Sequence, residues 1–159
     1  MSEDKAKNSR ELWLNGQFSQ RNCGALRDQI MDAVLEDDEA PILVHINSYG
    51  GEVDSLNMLI DTFDSVPNKI ITVCSGTAMS AGAVLLSHGH ERYISPNSRV
   101  MIHKVSTWTQ GNTDDIANDA KETLRMNKQM LSLLATNCGK TLKELEALLT
   151  RTRDLFLDS

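Results

Sequence analysis

Apolar and polar positions follow two different periods along the chain. Short apolar runs predict strands, at ELWLNGQF, PILVHINS, KIITVCS, RYIS and RVMIHKV. Between the first three runs, CGALRDQIMDAVLED and VDSLNMLIDTFDSV repeat apolar residues at helical spacing, and the residues after Ser80 predict another helix. Alternating strands and helices are typical of parallel strands joined by right-handed crossovers, so we expect an α/β domain.

A long helix is predicted from Thr113 to about Cys138, after the polar and loop-like stretch TWTQGN. Two aspartates favour its start and Gly139 favours its end. Its apolar stripe runs from Ile116 to Leu134, so we expect it either to fold back on its own domain or to pack against another subunit. A capping box in TLKE then predicts a shorter helix to about Thr150.

Composition fits one globular domain, with 159 residues of which 40% are hydrophobic. A net charge of −6 and an aromatic content of 4% argue against a nucleic-acid-binding surface. No apolar run approaches about 18 residues, so no membrane span is expected. The start lacks the apolar segment of a signal peptide. We expect a cytoplasmic or virion-associated protein, with residues 1–11 as a polar tail, residues 12–159 as one domain, and three buried thiols.

Ser80 lies in GTAMSAG, where a predicted strand turns into a helix among residues with almost no side chain. Small residues there are compatible with close packing alone, the serine bonding its own backbone. They equally leave Ser80 open to attack a substrate, with amides of the first helical turn directed at the developing oxyanion.

A second strand-to-helix turn, INSYGGEV, contains Gly50 and Gly51. These glycines form a tight turn, or they let a substrate backbone approach while the Gly51 amide donates to the oxyanion. Neighbouring parallel strands end at one crevice, so the convergence of the two turns favours the functional interpretation.

Four histidines are candidates for a base that activates a serine. His45 lies inside an apolar strand, where packed and hydrogen-bonded histidines are usual. His88 and His90 lie in a turn with no third metal ligand near them in sequence, which favours a solvated turn. His103 ends a predicted strand, either as a satisfied strand histidine or as a base at the sheet edge. Twenty-two acidic residues leave the partner acid undecided by composition.

Four blocks resemble the proteolytic subunit of the Clp protease family in order and interval: INSYGGEV, GTAMSAGAVLLS, PNSRVMIHK and RDLF. The resemblance extends from Leu12 over nearly the whole chain. It implies a crotonase-like α/β fold with a parallel sheet, flanking helices and a projecting handle helix at about residues 113–138. It also implies a serine peptidase whose triad is the nucleophile Ser80, the general base His103 and the orienting acid Asp154.

The same resemblance implies that the backbone amides of Gly51 and Ala81 form the oxyanion hole. Gly50, Tyr49 and Lys104 would then border the bound substrate. Tyr49 stands where the family usually has proline, and Lys104 stands where it usually has glutamine, so we expect altered subsite preference. Such a mechanism requires no metal and no cofactor.

We therefore expect a serine endopeptidase that hydrolyses peptides and unfolded proteins inside a homo-oligomeric chamber. The family implies stacked heptameric rings interlocked by the handle, and an ATP-driven unfoldase as a partner. The alternatives are a catalytically weak or silent assembly subunit and a phage maturation-type peptidase with dedicated substrates. An acyl-CoA enzyme of the wider crotonase-like fold would have no use for a nucleophilic Ser80.

The two ends of the chain differ from the family pattern. Only about ten polar residues precede ELWLNGQF, where the family carries a longer segment that lines the axial pore. We expect peptides and unfolded chains to be cut without ATP, and docking of an unfoldase to be weak or replaced by another partner. The chain also stops where the family continues with a helix and a strand, as expected of a truncated or a short divergent member.

Overall fold

The computed structural model describes residues 10–157, and nearly all of the predicted polar tail lies outside them. The chain divides into two compact units. Among the described residues, the first comprises residues 10–101 with 156–157, and the second comprises residues 102–155.

The first unit alternates strands and helices as the sequence predicts. Its elements are β1 (Arg10–Asn15), α1 (Gln20–Glu36), β2 (Ile42–Ser48), α2 (Val53–Ser65), β3 (Ile70–Met79), α3 (Ala81–His88), β4 (Glu91–Ile94) and most of β5 (Arg99–His103). β1 pairs with β2, β2 with β3, and β3 with both β4 and β5, all in parallel. The prediction of a parallel α/β arrangement is confirmed.

β3 is longer than the predicted strand KIITVCS. It continues through GTAM because Thr77, Ala78 and Met79 pair with Arg99, Val100 and Met101 of β5. This pairing partner is distant in sequence, so the apolar run alone does not show it. The extension carries the strand up to Ser80.

The core of the first unit lies between the sheet and its helices. Alternate residues of β2 and β3 are buried on the same face, as period-two packing requires. The helices bury apolar stripes, chiefly through Leu26, Ile30, Leu56, Leu59 and Phe63. Each such side chain contributes about 1.5–3 kcal/mol by leaving water, so this packing fixes the strand ends that carry the two candidate turns.

Two of the three cysteines belong to this core. Cys23 and Cys74 are buried as free thiols, and burial raises the pKa of both. Cys138 is exposed, so the expectation of three buried thiols is wrong for this residue. It lies in the turn directly after a helix.

The second unit is built on two helices, α4 (Thr113–Asn137) and α5 (Leu142–Arg151). Asn112 caps α4 in a capping box with Asp115, and Gly139 follows it with φ +64°. The predicted capping box of Thr141 and Glu144 opens α5. Both helix predictions are therefore confirmed. The last strand, β6 (Asp154–Leu157), begins in the second unit and ends in the first.

The apolar stripe of α4 has two different halves. Its C-terminal half is buried against α5, through Met130, Leu131, Leu134 and Ala135 of α4 and Leu145 and Leu149 of α5. In the N-terminal half, Ile116 and Leu124 are exposed, the latter by 70%. The unit thus covers only part of the stripe. Among the helices of residues 10–157, none is both long and apolar enough to cross a membrane.

Candidate active site

Ser80 is the single residue between β3 and α3. Its φ of +55° is the only positive value among the non-glycine residues that the structure describes. For an L-residue this conformation costs about 1–2 kcal/mol. The Ser80 amide donates to the Met101 carbonyl at 2.8 Å, and the Ser80 carbonyl accepts from Ala83 and Val84 at 3.0 and 3.2 Å. A strained turn held from both sides is the geometry that presents a nucleophilic serine above a parallel sheet.

The small residues after Ser80 let α3 approach the sheet closely. A Cβ added at Gly82 would lie 3.3 Å from the Ser48 carbonyl oxygen. The packing role of this stretch is therefore real, and it coexists with a backbone donor outside the helical ladder. The first hydrogen bonds within α3 use the amides of Ala83 and Val84, so the Ala81 amide precedes them and is free of the helical ladder.

The Gly50–Gly51 turn contacts the Ser80 turn. Gly50 has φ +100°, and a Cβ added there would lie 2.8 Å from the Ser80 Cβ and 2.9 Å from the Met79 carbonyl oxygen. It would also lie 3.2 Å from the Ala81 nitrogen. A glycine is thus required both by the backbone conformation and by the proximity of the serine.

Gly51 is in close contact with Gln17 and Phe18, which precede α1. It has φ +150°, and an added Cβ would lie 2.2 Å from the Phe18 carbonyl oxygen. The Phe18 amide donates to the Gly50 carbonyl at 2.9 Å, and the Glu52 amide donates to the Phe18 carbonyl at 3.0 Å. These bonds use the Gly50 carbonyl and the Glu52 amide, on either side of Gly51. Within residues 10–157 the Gly51 amide itself donates to no acceptor.

Ser48 is a further polar residue of the site that the sequence analysis did not identify. It is buried, and its Oγ accepts the Gly50 amide at 3.0 Å. A serine two residues before a glycine is a known turn signal, so the spacing could have indicated this bond. Ser48 and Phe18 together fix the two peptide units that flank Gly50.

The remaining predicted site residues are distributed over both units. Tyr49 lies in the glycine turn of the first unit and is 75% exposed. His103 ends β5 and is half-buried, Lys104 follows it and is exposed, and Asp154 begins β6 and is exposed. These last three belong to the second unit. Within residues 102–155 no hydrogen bond or ion pair joins His103 to Asp154.

The structure therefore brings together one part of the predicted site: Gly50 lies against Ser80 and Ala81, and Gly51 follows Gly50 in the same turn. Their proximity is a geometric fact, whereas their roles in catalysis stay predictions. The roles of His103, Asp154, Tyr49 and Lys104 also stay predictions.

His45 has local partners in the first unit. Its Nδ1 lies 2.8 Å from the Ser75 Oγ, and its ring stacks on Trp13 with 4.1 Å between the centroids. The interpretation of His45 as a packed, hydrogen-bonded strand residue is confirmed.

His88 and His90 are also bonded. The His88 Nε2 lies 2.9 Å from an Asp64 carboxylate oxygen, and the His90 Nδ1 accepts the Ile70 amide at 3.1 Å. Within the part of the chain that the structure describes, no three histidine, cysteine or acidic residues are grouped as a metal site would require.

The family model described as Clp protease matches residues 2–159. The chain belongs to the Clp protease family. Its mostly parallel sheet and flanking helices are those of the ClpP-type fold, and membership of the Clp protease family identifies the chain as a peptidase.

Proposed function

We propose that this Clp protease is a serine endopeptidase that hydrolyses peptide bonds of peptides and unfolded proteins. The observation that carries the proposal is the strained Ser80 at the start of α3, in contact with a glycine turn that leaves one amide without an acceptor. An isolated packing serine would need neither feature. Residues 12–159 would then form one peptidase domain.

In the proposed reaction, the Ser80 Oγ attacks the scissile carbonyl carbon while His103 takes the hydroxyl proton. The tetrahedral oxyanion accepts hydrogen bonds from the amides of Gly51 and Ala81. His103 then donates its proton to the departing amine, and Asp154 stabilises the imidazolium that forms between these steps. Catalytic hydrogen bonds often tighten only when substrate is bound, which applies to the pair of His103 and Asp154.

The acyl group on Ser80 is released by water in the second half of the reaction. His103 accepts a proton from the water as its oxygen bonds to the acyl carbon, and the same proton returns to the Ser80 oxygen as the ester bond breaks. We assign Gly50, Tyr49 and Lys104 to the border of the bound peptide. The exposed side chain of Tyr49 supports a subsite open to large residues.

We extend the proposal to assembly. The exposed N-terminal half of the α4 stripe supports packing against a second copy of the chain, in stacked rings of heptameric type. Active sites inside such a chamber would reach only peptides and unfolded chains, delivered with or without an ATP-driven unfoldase. A cytoplasmic location, in a cell or in a phage host, fits this proposal.

Peptide hydrolysis by point variants tests the proposed function. Ser80→Ala should abolish hydrolysis of fluorogenic peptides, because no other group supplies the nucleophile. His103→Ala should lower kcat by about 10³-fold or more, the scale seen when a triad member is removed. Ser65→Ala is the control, because that hydroxyl bonds the Thr62 carbonyl at the end of α2.

Three results would contradict the proposal. Full activity of Ser80→Ala would assign the reaction to another nucleophile, and an unchanged rate for His103→Ala would assign it to another base. An inactive but folded wild-type assembly would instead indicate a silent assembly subunit.

A further inference from the structure

Hydrogen bonds join the Gly50–Gly51 turn to the start of α1 and the residues before it. Among them, the Glu52 side chain makes the bond to α1 itself. Glu52 is the residue before α2, yet its side chain bonds none of the α2 amides. Its Oε2 accepts the Gln20 amide at 3.1 Å and the Ser55 hydroxyl at 2.7 Å. The carboxylate therefore bridges the first residue of α1 and the first turn of α2.

The surroundings of the Glu52 carboxylate favour this bridge. Gln20 opens α1, so its amide has no acceptor within its own helix, and a carboxylate there meets the positive end of the helix dipole. Ser55 is buried and holds the same oxygen from the side of α2. Two donors on different helices thus fix one carboxylate oxygen.

Backbone bonds beside Glu52 set the direction of the Gly51 amide. The peptide unit between Gly50 and Gly51 is planar and trans, so its N–H points opposite to its carbonyl. That carbonyl accepts the Phe18 amide at 2.9 Å, which directs the Gly51 N–H away from Phe18. The bond from the Glu52 amide to the Phe18 carbonyl closes the same short bridge.

We propose that Glu52 is a positioning residue that holds the Gly51 amide in the orientation an oxyanion requires. The inference rests on the proposed peptidase function. Without the carboxylate, the turn keeps its two backbone bonds to Phe18 but loses its side-chain link to α1, and the Gly51 amide is held less firmly in its direction. Because the oxyanion forms after substrate has bound, this loss lowers kcat and leaves KM nearly unchanged.

The test compares Glu52→Ala and Glu52→Gln with Glu39→Ala, a control at an exposed glutamate in the turn before β2. Steady-state peptide hydrolysis and hydrogen exchange over residues 16–22 are measured on the full chain. Glu52→Ala should lower kcat about tenfold, with KM within about twofold, and speed exchange at Phe18. Glu52→Gln keeps an oxygen that accepts the Gln20 amide, so it should restore most of both readouts, and Glu39→Ala should match the wild type.

The positioning role would be overturned if Glu52→Ala kept the wild-type kcat and the wild-type hydrogen-exchange rates. If Ser80→Ala were inactive in the same assay, the peptidase proposal would still hold. An equal fall of kcat in Glu39→Ala would overturn the positioning role as well. A wild-type chain without Ser80-dependent hydrolysis would overturn both proposals, and this outcome is distinct because the wild type itself is inactive. Should Glu52→Ala fail to fold, Ser55→Ala removes one donor to the same carboxylate and should lower kcat in the same direction.

Discussion

At Gly50, an added methyl group would be unfavourable both for the backbone conformation and for the contact with Ser80. The φ of +100° at this position disfavours any L-residue, and an alanine Cβ would lie 2.8 Å from the Ser80 Cβ. We predict that Gly50→Ala destabilises the protein by about 2 kcal/mol or more. Peptide hydrolysis should fall at least about tenfold, because the Ser80 turn must shift. Urea unfolding and kcat/KM measure the two effects.

Gly24 provides the matched control. It lies within α1 and a Cβ added there would meet no atom within 4 Å. Gly24→Ala should therefore stabilise the protein by about 0.5–1 kcal/mol and leave kcat/KM unchanged. Equal stability of the Gly50→Ala and Gly24→Ala variants would contradict the close contact between the two turns.

The residues that the sequence revealed at the site are those with a local signal. Ser80, Gly50 and Gly51 lie among small residues at strand ends, and this pattern can be recognised from the sequence alone. Glu52 was not identified, because its partner Gln20 lies 32 positions away and no short motif joins them. Contacts of this kind depend on how α1 and α2 pack, which the periodicity of neither helix determines.

At the scale of elements, the cap of α4 gives a direct prediction. The Asn112 Oδ1 accepts the amides of Asp114 and Asp115 at 2.9 and 3.0 Å. Asn112→Ala should destabilise the second unit by about 1 kcal/mol, because two amides of the first turn lose their acceptor. Thermal unfolding followed by circular dichroism measures it. Asn118→Ala, exposed inside the same helix, should be neutral or slightly stabilising, and a comparable loss there would contradict the capping account.

The sequence predicts helix ends where capping residues mark them. It does not predict where β3 ends or which part of the α4 stripe is buried. β3 continues past its apolar run because β5 pairs with its last residues, and that pairing is long-range. The stripe of α4 looks uniform in sequence, yet α5 covers only its C-terminal half. Leu131 is consequently a core residue of the second unit and Leu124 is not.

At the scale of the whole molecule, a substitution at Leu124 tests assembly without disturbing the folding of the unit. The Leu124 side chain is 70% exposed, so an aspartate there adds no buried charge within the unit. We predict that Leu124→Asp shifts the particle mass in analytical ultracentrifugation toward single rings or monomers, since an interface would bury the carboxylate. Gln129→Asp, at an exposed position about 140° around α4 from Leu124, should keep the wild-type mass. A monomeric wild type with full activity at nanomolar concentration would contradict assembly.

The central claim is that Ser80 is an activated nucleophile. A fluorophosphonate reacts with a serine only when a base takes up its proton and an oxyanion hole receives the phosphoryl oxygen. The wild-type chain is labelled with this probe, digested, and mapped by mass spectrometry. The account predicts one adduct, on Ser80, with loss of labelling in Ser80→Ala. An adduct on a different serine, or undiminished labelling of the Ser80→Ala chain, would contradict it.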